Sequence, residues 1–96
     1  MRQRFVVTYD VCEAARLRKV FKVMKGFGRH VQYSVFVCDL NELGLAELKA
    51  GLVGVIDPTK DQVLLIDVGP SDGRGIEVFE SLGRPYHERA RLALVV

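Results

Sequence analysis

Asp10 is the residue whose type and position most directly indicate chemistry. It follows the β-branched and aromatic stretch of residues 5–9 and precedes a helical pattern, so its carboxylate is expected at the C-terminal edge of a first strand. A carboxylate at such an edge is a candidate ligand for Mg²⁺, which takes one or two carboxylates together with water or phosphate oxygens. Residues 10–13 also have the form of a capping box, with Asp10 as N-cap and Glu13 at N3. The local sequence favours the cap, and both interpretations stay open on this evidence.

A single carboxylate is a poor site for Mg²⁺, which prefers near-octahedral oxygen coordination. A two-fold axis beside Asp10 would supply a second carboxylate from another copy of the chain. The axis would bring two like charges together, and a divalent cation would relieve their repulsion. A metal site at Asp10 therefore predicts a homodimer.

Basic side chains accompany this carboxylate in the N-terminal part of the chain. Residues 1–38 hold eight Lys/Arg against two Asp/Glu, whereas residues 39–80 hold three against nine. On the first predicted helix, Glu13 is the only acidic side chain, so salt bridges along the helix do not account for the basic residues. An ordinary solvated helix face is the alternative. A track for the phosphates of a nucleic acid explains the charge better and predicts binding that weakens steeply with salt. The basic positions are Arg16, Arg18, Lys19, Lys22 and Lys25, followed by Arg29.

Aromatic and polar residues near the predicted strands are further candidates for contact with nucleic acid. Tyr9, Tyr33 and Phe36 are able to stack on bases, but aromatic residues in strands belong to the core more often than to a binding surface. His30 is interpreted as a phosphate contact, since neither histidine shows metal-ligand spacing.

The elements that position these residues can be predicted from periodicity. A helix is expected from residue 13 to about residue 26, with an apolar stripe at i, i+3, i+4, i+7 and i+10, and Gly26 and Gly28 end it. Strand composition returns at residues 31–38, either as one long strand or as a tight hairpin kinked near Tyr33 and Ser34. The stripe consists of Leu17, Val20, Phe21, Met24 and Phe27.

The second half of the chain repeats the alternation of helix and strand. Asn41 is a good N-cap for a helix whose stripe runs to residue 56, where Asp57 and Pro58 close it. Residues 62–68 form a strand, and residues 92–96 are a strand candidate that a dimer partner would accept. This order predicts an α+β, ferredoxin-like split βαβ domain with an antiparallel sheet and two helices. We expect one domain over residues 1–96, with a core of residues 1–68 and a C-terminal extension of residues 69–96.

Composition excludes several other classes of protein. Nearly half of the residues are apolar and 27% are charged, which is typical of a folded globular chain. The two cysteines are too few and too far apart for a disulfide framework or a metal knuckle. No apolar stretch approaches the length of a membrane span, so we expect no membrane association and a cytoplasmic location.

Three stretches in this order resemble the Cas-two family of CRISPR-associated proteins of spacer acquisition. They are the strand residues 6–11, the basic helix residues 18–22 leading to residues 26–28, and residues 31–40, which read VQYSVFVCDL. The resemblance covers roughly residues 1–68 and does not extend to the C-terminal segment.

The resemblance implies a ferredoxin-like fold, a symmetric homodimer, and Mg²⁺ (or Mn²⁺) held by Asp10 of both subunits. It also reverses the local preference for a cap at Asp10. Members of the family are described as metal-dependent endonucleases on single-stranded RNA or double-stranded DNA. They are also described as the non-catalytic, DNA-binding bridge of a spacer-integration complex with the Cas-one integrase. Both functions are therefore hypotheses for this chain, with Asp10 as the catalytic residue of the first.

The family pattern also assigns supporting residues. It points to Tyr9, Arg16, Arg18, Ser34 and Phe36 beside Asp10, and His30 stands after Arg29 where some members have arginine. A third hypothesis is a ferredoxin-like module that binds a small molecule or has a regulatory function. The absence of any recognisable small-ligand motif in the sequence argues against it. The full set of expected nucleic-acid contacts is Tyr9, Arg16, Arg18, Lys22, Lys25, Arg29 and His30, with Ser34 and Phe36 in support.

Overall fold

The computed structural model describes residues 1–72 and 79–85, and it contains four strands and two helices in the predicted order. The candidate strand at residues 92–96 lies outside the described residues. The elements are β1 (Gln3–Asp10), α1 (Ala14–Lys25), β2 (Arg29–Gln32), β3 (Val35–Leu40), α2 (Glu42–Val53) and β4 (Gln62–Pro70).

The four strands form one antiparallel sheet in the order β2-β3-β1-β4. Each helix connects two strands that are not neighbours, because one strand is inserted between β1 and β2 and another between β3 and β4. This is the split βαβ arrangement, and it confirms the predicted ferredoxin-like α+β fold. β1 is central and pairs with both β3 and β4, but its pairing with β3 ends at Thr8, so among the described residues the last one of β1, Asp10, pairs only with Gln62 of β4.

The two faces of the sheet differ because side chains alternate along β1. Phe5, Val7 and Tyr9 are buried in the core beneath the helices. Strand alternation places Thr8 and Asp10 on the opposite side. We call this side the open face, since neither helix covers it.

α1 covers the core with the predicted stripe. Val20 and Met24 are fully buried, while Leu17, Phe21 and Phe27 pack against the same cluster. The helix ends at Gly26, where the backbone N–H groups of the following residues still bond to Val23 and Met24. The predicted amphipathic helix is therefore confirmed, with Arg18, Lys19, Lys22 and Lys25 exposed and Arg16 partly buried.

α2 begins as predicted, because the Asn41 side chain accepts a hydrogen bond of 2.7 Å from Gly44 N. It ends at Val53, three residues before the predicted end, and the following residues still pack against the core. Gly51 allows α2 to approach α1, since a Cβ atom there would lie 3.3 Å from Cγ1 of Val23. Among the described residues, no helix has the length and apolar character that crossing a bilayer requires.

Residues 29–40 form a hairpin and not one long strand, because β2 and β3 are separate antiparallel neighbours joined at Tyr33 and Ser34. Gly28 leads into this hairpin at a point with no room for a side chain. A Cβ atom on Gly28 would lie 2.4 Å from the carbonyl oxygen of Val37 and 2.5 Å from Sγ of Cys38. The glycine thus has a packing function in addition to ending the helix.

Candidate metal and nucleic-acid site

Asp10 is the last residue of β1, and its side chain is exposed. Its backbone pairs with Gln62 of β4. Within residues 1–72 and 79–85, the Asp10 carboxylate makes no hydrogen bond or ion pair. Both of its oxygens therefore face solvent at the edge of the sheet.

The interpretation of Asp10 as a helix cap is wrong, because Glu13 caps α1. The Glu13 carboxylate accepts hydrogen bonds from Ala15 N at 3.2 Å and from Arg16 N at 2.9 Å. These backbone donors lower the pKa of Glu13. β1 continues through Asp10, so the helix starts only at Ala14, too far along the chain for Asp10 to reach its first turn.

A divalent cation fits Asp10 only in part when one copy of the chain is considered. The described residues contain no cluster of three or more His, Cys, Asp or Glu side chains that would enclose a metal ion. Asp10 offers one free carboxylate, which suits a largely hydrated Mg²⁺ or Mn²⁺ that takes its other ligands from water, phosphate or a second carboxylate. The donor set agrees with the shared site expected from the sequence.

Arg16 faces a carboxylate that the sequence analysis did not single out. Arg16 Nε lies 2.7 Å from Oδ2 of Asp61, and Nη2 lies 3.2 Å from Oδ1. The Asp61 side chain is fully buried. Hydrogen bonds from Arg16 and from the backbone N–H of Asp57 lower the pKa of Asp61 to about 2. The two residues are 45 positions apart, so no local pattern in the sequence indicated this pair.

The basic residues of α1 form an exposed track, which we define as Arg18, Lys22 and Lys25. All three side chains are exposed, as is Lys19 beside them. Nζ of Lys25 lies 5.7 Å from the ring centroid of Phe21, a cation–π contact that holds the stem of this lysine against the helix. α1 has twelve residues and is therefore about 18 Å long. The track runs along the solvent side of α1, in the helical layer of the molecule.

Four rings connect this helix to the sheet beneath it. The His30 ring lies 4.9 Å from Phe36 and 5.2 Å from Phe21, and Phe36 lies 6.3 Å from Tyr9, all between centroids. Phe36 and Tyr9 are buried, and burial raises the pKa of Tyr9. The expectation that strand aromatics belong to the core is confirmed for these two. Because both rings pack in the core, neither is exposed to stack on a base, which argues against the nucleic-acid contact expected of Tyr9.

Arg29 lies on the open face near the end of the sheet that is opposite to Asp10. Its Nη1 lies 3.1 Å from Oδ2 of Asp39, and Arg4 Nε lies 2.8 Å from the other oxygen of the same carboxylate. Burial alone would raise the pKa of Asp39, but the hydrogen bonds from Arg4, Ser71 and Arg29 hold it at about 2. Arg29 is therefore partly engaged in holding the sheet together.

Tyr33 and Ser34, at the turn of the hairpin, lie beside Asp10. Thr8 pairs with Val35, and Tyr9 N donates a hydrogen bond of 3.2 Å to Ser34 O, so the turn of Tyr33 and Ser34 lies next to the end of β1. Tyr33 is 86% exposed, unlike the other two aromatic candidates. Nε2 of His30 lies 3.3 Å from the carbonyl oxygen of Tyr33, which fastens the turn.

The open face around Asp10 carries apolar side chains. Leu64 and Ile66 of the edge strand β4 are 48% and 45% exposed, and they pair with Thr8 and Val6 of the central strand β1. Exposed aliphatic residues on a flat sheet face are typical of an interaction surface. Asp10 is on this same face, two residues beyond Thr8 along β1.

Comparison with known proteins agrees with these observations. The model of the family described as CRISPR associated protein Cas2 matches residues 2–73. The chain is 39% identical over 92 residues to the CRISPR-associated endoribonuclease Cas2 1 of Rhodospirillum rubrum, covering 96% of this chain and 89% of that one. It is 32% identical over the full length of both chains to the CRISPR-associated endoribonuclease Cas2 of Geobacter sulfurreducens.

A solved structure shows the same architecture. The crystal structure of Streptococcus pyogenes Cas2 superposes with a TM-score of 0.72 at 32% identity, covering 83% of this chain and 99% of that one. The matched segment includes Asp10, the basic helix and the hairpin, which are the features described above. This chain belongs to the CRISPR-associated protein Cas2 family, named Cas-two in the sequence analysis.

Proposed function

We propose that this protein is a divalent-metal-dependent endonuclease that hydrolyses phosphodiester bonds of single-stranded RNA or double-stranded DNA during CRISPR spacer acquisition. The observation that carries the proposal is the exposed Asp10 carboxylate, which no other described residue engages, at the end of the central strand. Relatives named endoribonucleases support the reaction class. The protein acts in the cytoplasm, where its substrates are found.

The proposed metal site is completed by a second copy of the chain. Packing the open faces of two copies around a two-fold axis buries Leu64 and Ile66 of both, and it brings the two Asp10 residues, which lie on that same face, towards each other. The two Asp10 carboxylates would hold Mg²⁺ or Mn²⁺, which when bound would activate a water molecule and offset negative charge on the phosphate. The same two-fold arrangement leaves both α1 helices on the outside of the dimer.

The nucleic acid is held mainly by phosphate contacts. Arg18, Lys22 and Lys25 project from α1 without any described acidic partner, so each is free to replace counterions along the backbone. His30 packs against Phe21 on the helix side of the hairpin and adjoins this surface. Arg29 lies on the open face and binds Asp39, so the phosphate contact expected of Arg29 is not part of the track. Tyr9, Ser34 and Phe36 hold the hairpin and α1 in place. Sequence-independent contacts of this kind position the strand without selecting a base.

The test is a cleavage assay on single-stranded RNA and double-stranded DNA with Mg²⁺, comparing the wild type with Asp10→Ala. We expect the variant to fold, to bind both nucleic acids with unchanged affinity, and to lose cleavage, because only the metal ligand has been removed. Asp67→Ala, a carboxylate variant at a distance along β4, serves as the control that retains cleavage. Cleavage that persists in rigorously purified Asp10→Ala protein would overturn the proposal.

The second candidate function is a non-catalytic scaffold that holds DNA for the Cas-one integrase. It is favoured by one observation: the basic track lies on the helical layer, whereas Asp10 is on the open face on the other side of the sheet. A duplex on the track need not reach the carboxylate.

The scaffold function makes a different prediction for the same residues. Reversing Arg18 and Lys22 to Glu should abolish DNA binding and spacer acquisition in cells, whereas Asp10→Ala should preserve both. Unchanged DNA affinity in the charge-reversal variant would rule this function out. Loss of acquisition in Asp10→Ala protein with intact DNA binding would instead support the endonuclease.

A further inference from the structure

The buried carboxylate of Asp61 joins three separate segments of the chain next to Asp10. It accepts the two hydrogen bonds from Arg16 of α1 and a third, of 2.8 Å, from the backbone N–H of Asp57 in the loop after α2. Its Oδ1 also lies 3.9 Å from Sγ of Cys12, in the segment between β1 and α1. The backbone N–H of Cys12 is near enough to contribute to the lowered pKa of Asp61.

These contacts lie next to the end of β1. Cys12 follows Asp10 by two residues, and Gln62, which pairs with Asp10 in the sheet, directly follows Asp61. We infer that Asp61 and Arg16 are positioning residues, which fix the backbone around Asp10 so that its carboxylate points to the metal. This inference rests on the proposed function of Asp10 as a metal ligand.

The arrangement assigns Arg16 a different function from the phosphate contact expected from the sequence. Its guanidinium group uses Nε and Nη2 for Asp61, and Nη1 lies 3.7 Å from Glu13. A planar fork that engages a carboxylate through two parallel hydrogen bonds fixes orientation as well as distance. Arg16 therefore connects the first turn of α1 to the metal-binding edge of the sheet, and Arg18 is the first arginine on the helix that is free for phosphate.

A buried ion pair need not be retained for fold stability. Replacing a buried ion pair by well-packed apolar residues is often neutral or stabilising, so the pair is weak evidence of a purely structural function. The molecule also provides a comparison at the other end of β1, where Arg4 and Asp39 form a similar pair with a carboxylate pKa of about 2. That pair is remote from Asp10 along the strand.

The experiment measures the affinity for Mn²⁺ alone by electron paramagnetic resonance titration of the full-length protein. Mutating a residue that positions a metal ligand without binding the metal itself typically lowers metal affinity by about 10–100-fold. We expect Asp61→Asn to weaken Mn²⁺ binding by about tenfold or more and to lower kcat, while KM for the nucleic acid stays unchanged. Asp39→Asn is the matched control, which removes an equivalent charge and should leave Mn²⁺ affinity at the wild-type value.

A second variant separates positioning from phosphate binding and does not depend on Asp61→Asn being stable. Arg16→Lys keeps the positive charge but loses the fork, so it should weaken Mn²⁺ binding while the affinity for RNA measured without metal is retained. If Arg16 contacted phosphate, the lysine would retain both properties, and the inference would be wrong. Equal losses of Mn²⁺ affinity in Asp61→Asn and Asp39→Asn would also overturn it, since both would then act through stability.

Asp10→Ala in the same titration separates this inference from the proposed function. If Asp10→Ala abolishes Mn²⁺ binding and Asp61→Asn does not alter it, the metal site stands and the positioning function fails. If Asp10→Ala leaves Mn²⁺ binding unchanged, the proposed metal site itself fails.

Discussion

At the scale of single residues, Asp10 and Glu13 have different functions although they are only three positions apart. β1 ends at Asp10, and α1 begins after Glu13. Glu13 reaches the first turn of α1 and caps it, whereas Asp10 stays in the sheet with its side chain in solvent. The capping-box pattern contained both residues and correctly indicated a helix start. It assigned the cap to Asp10 instead of Glu13, since the identity of the capping residue depends on how far the strand continues.

Tyr33 is the residue at the turn that combines exposure with closeness to Asp10. An exposed ring at this position is suited to stack on an unpaired base next to the scissile phosphate. Stacking is worth about 1–3 kcal/mol per base, so Tyr33→Ala should weaken binding of single-stranded RNA by roughly 5–150-fold. Fluorescence anisotropy with labelled RNA measures this loss. Tyr33→Phe should bind like the wild type, and equal binding by Tyr33→Ala would contradict the prediction.

The depressed pKa values of Asp39 and Asp61 predict how stability depends on pH. Both folded-state values are about 2, against an ordinary value of 3.8. A carboxylate with a lowered pKa contributes stability that is present above its unfolded pKa and is lost as the pH falls through the folded value. Urea denaturation should therefore show a free energy of unfolding that declines between about pH 4 and pH 2. Asp39→Asn should make this decline shallower, and an unchanged slope would contradict the assignment.

At the scale of elements, the helices and strands were predictable because their signals are local. The stripe of α1, the Asn41 cap of α2 and the hairpin alternative at residues 31–38 all depend on neighbours within a few residues. The pair of Arg16 and Asp61 depends on how α1 packs beside the loop before β4. Hydrophobic periodicity along the sequence predicts elements but not such tertiary contacts between them. For the same reason the sequence placed Arg16 with the phosphate contacts.

Gly28 tests how tightly α1 is connected to the β2–β3 hairpin. An alanine Cβ atom would lie 2.4 Å from a backbone oxygen that has little freedom to move. Overpacking of this kind costs about 1–3 kcal/mol, so Gly28→Ala should lower the free energy of unfolding by an amount near the upper limit. Gly54→Ala is the control, because its Cβ atom would meet nothing nearer than 3.5 Å. Equal stability of the two variants in chemical denaturation would show that the contact can relax.

At the scale of the whole molecule, the open face explains why a single chain provides only half of the proposed site. Asp10 shares this face with Leu64 and Ile66, so the surface proposed to form the dimer also carries the metal ligand. The division into a core of residues 1–68 and an extension of residues 69–96 stays a prediction. The proposed second ligand is Asp10 of another copy of the chain, so composition and spacing within one chain left the metal site open.

Ile66→Lys tests the proposed dimer through its apolar face. A charged ammonium group in this surface would have to be desolvated on association, so we expect the variant to be monomeric at concentrations where the wild type is a dimer. Analytical ultracentrifugation measures the difference. Leu43→Lys is the control, since Leu43 is also exposed, at 66%, but lies on α2. A dimer that survives Ile66→Lys and dissociates with Leu43→Lys would place the interface on the helical layer.

The central claim is that one divalent ion is shared by the Asp10 carboxylates of two subunits. The most direct measurement is the stoichiometry of Mn²⁺ binding, obtained by titrating the full-length protein at concentrations well above the dissociation constant. We predict about half an equivalent of Mn²⁺ per chain, which Asp10→Ala removes. About one equivalent per chain, or binding that survives Asp10→Ala, would contradict the shared site.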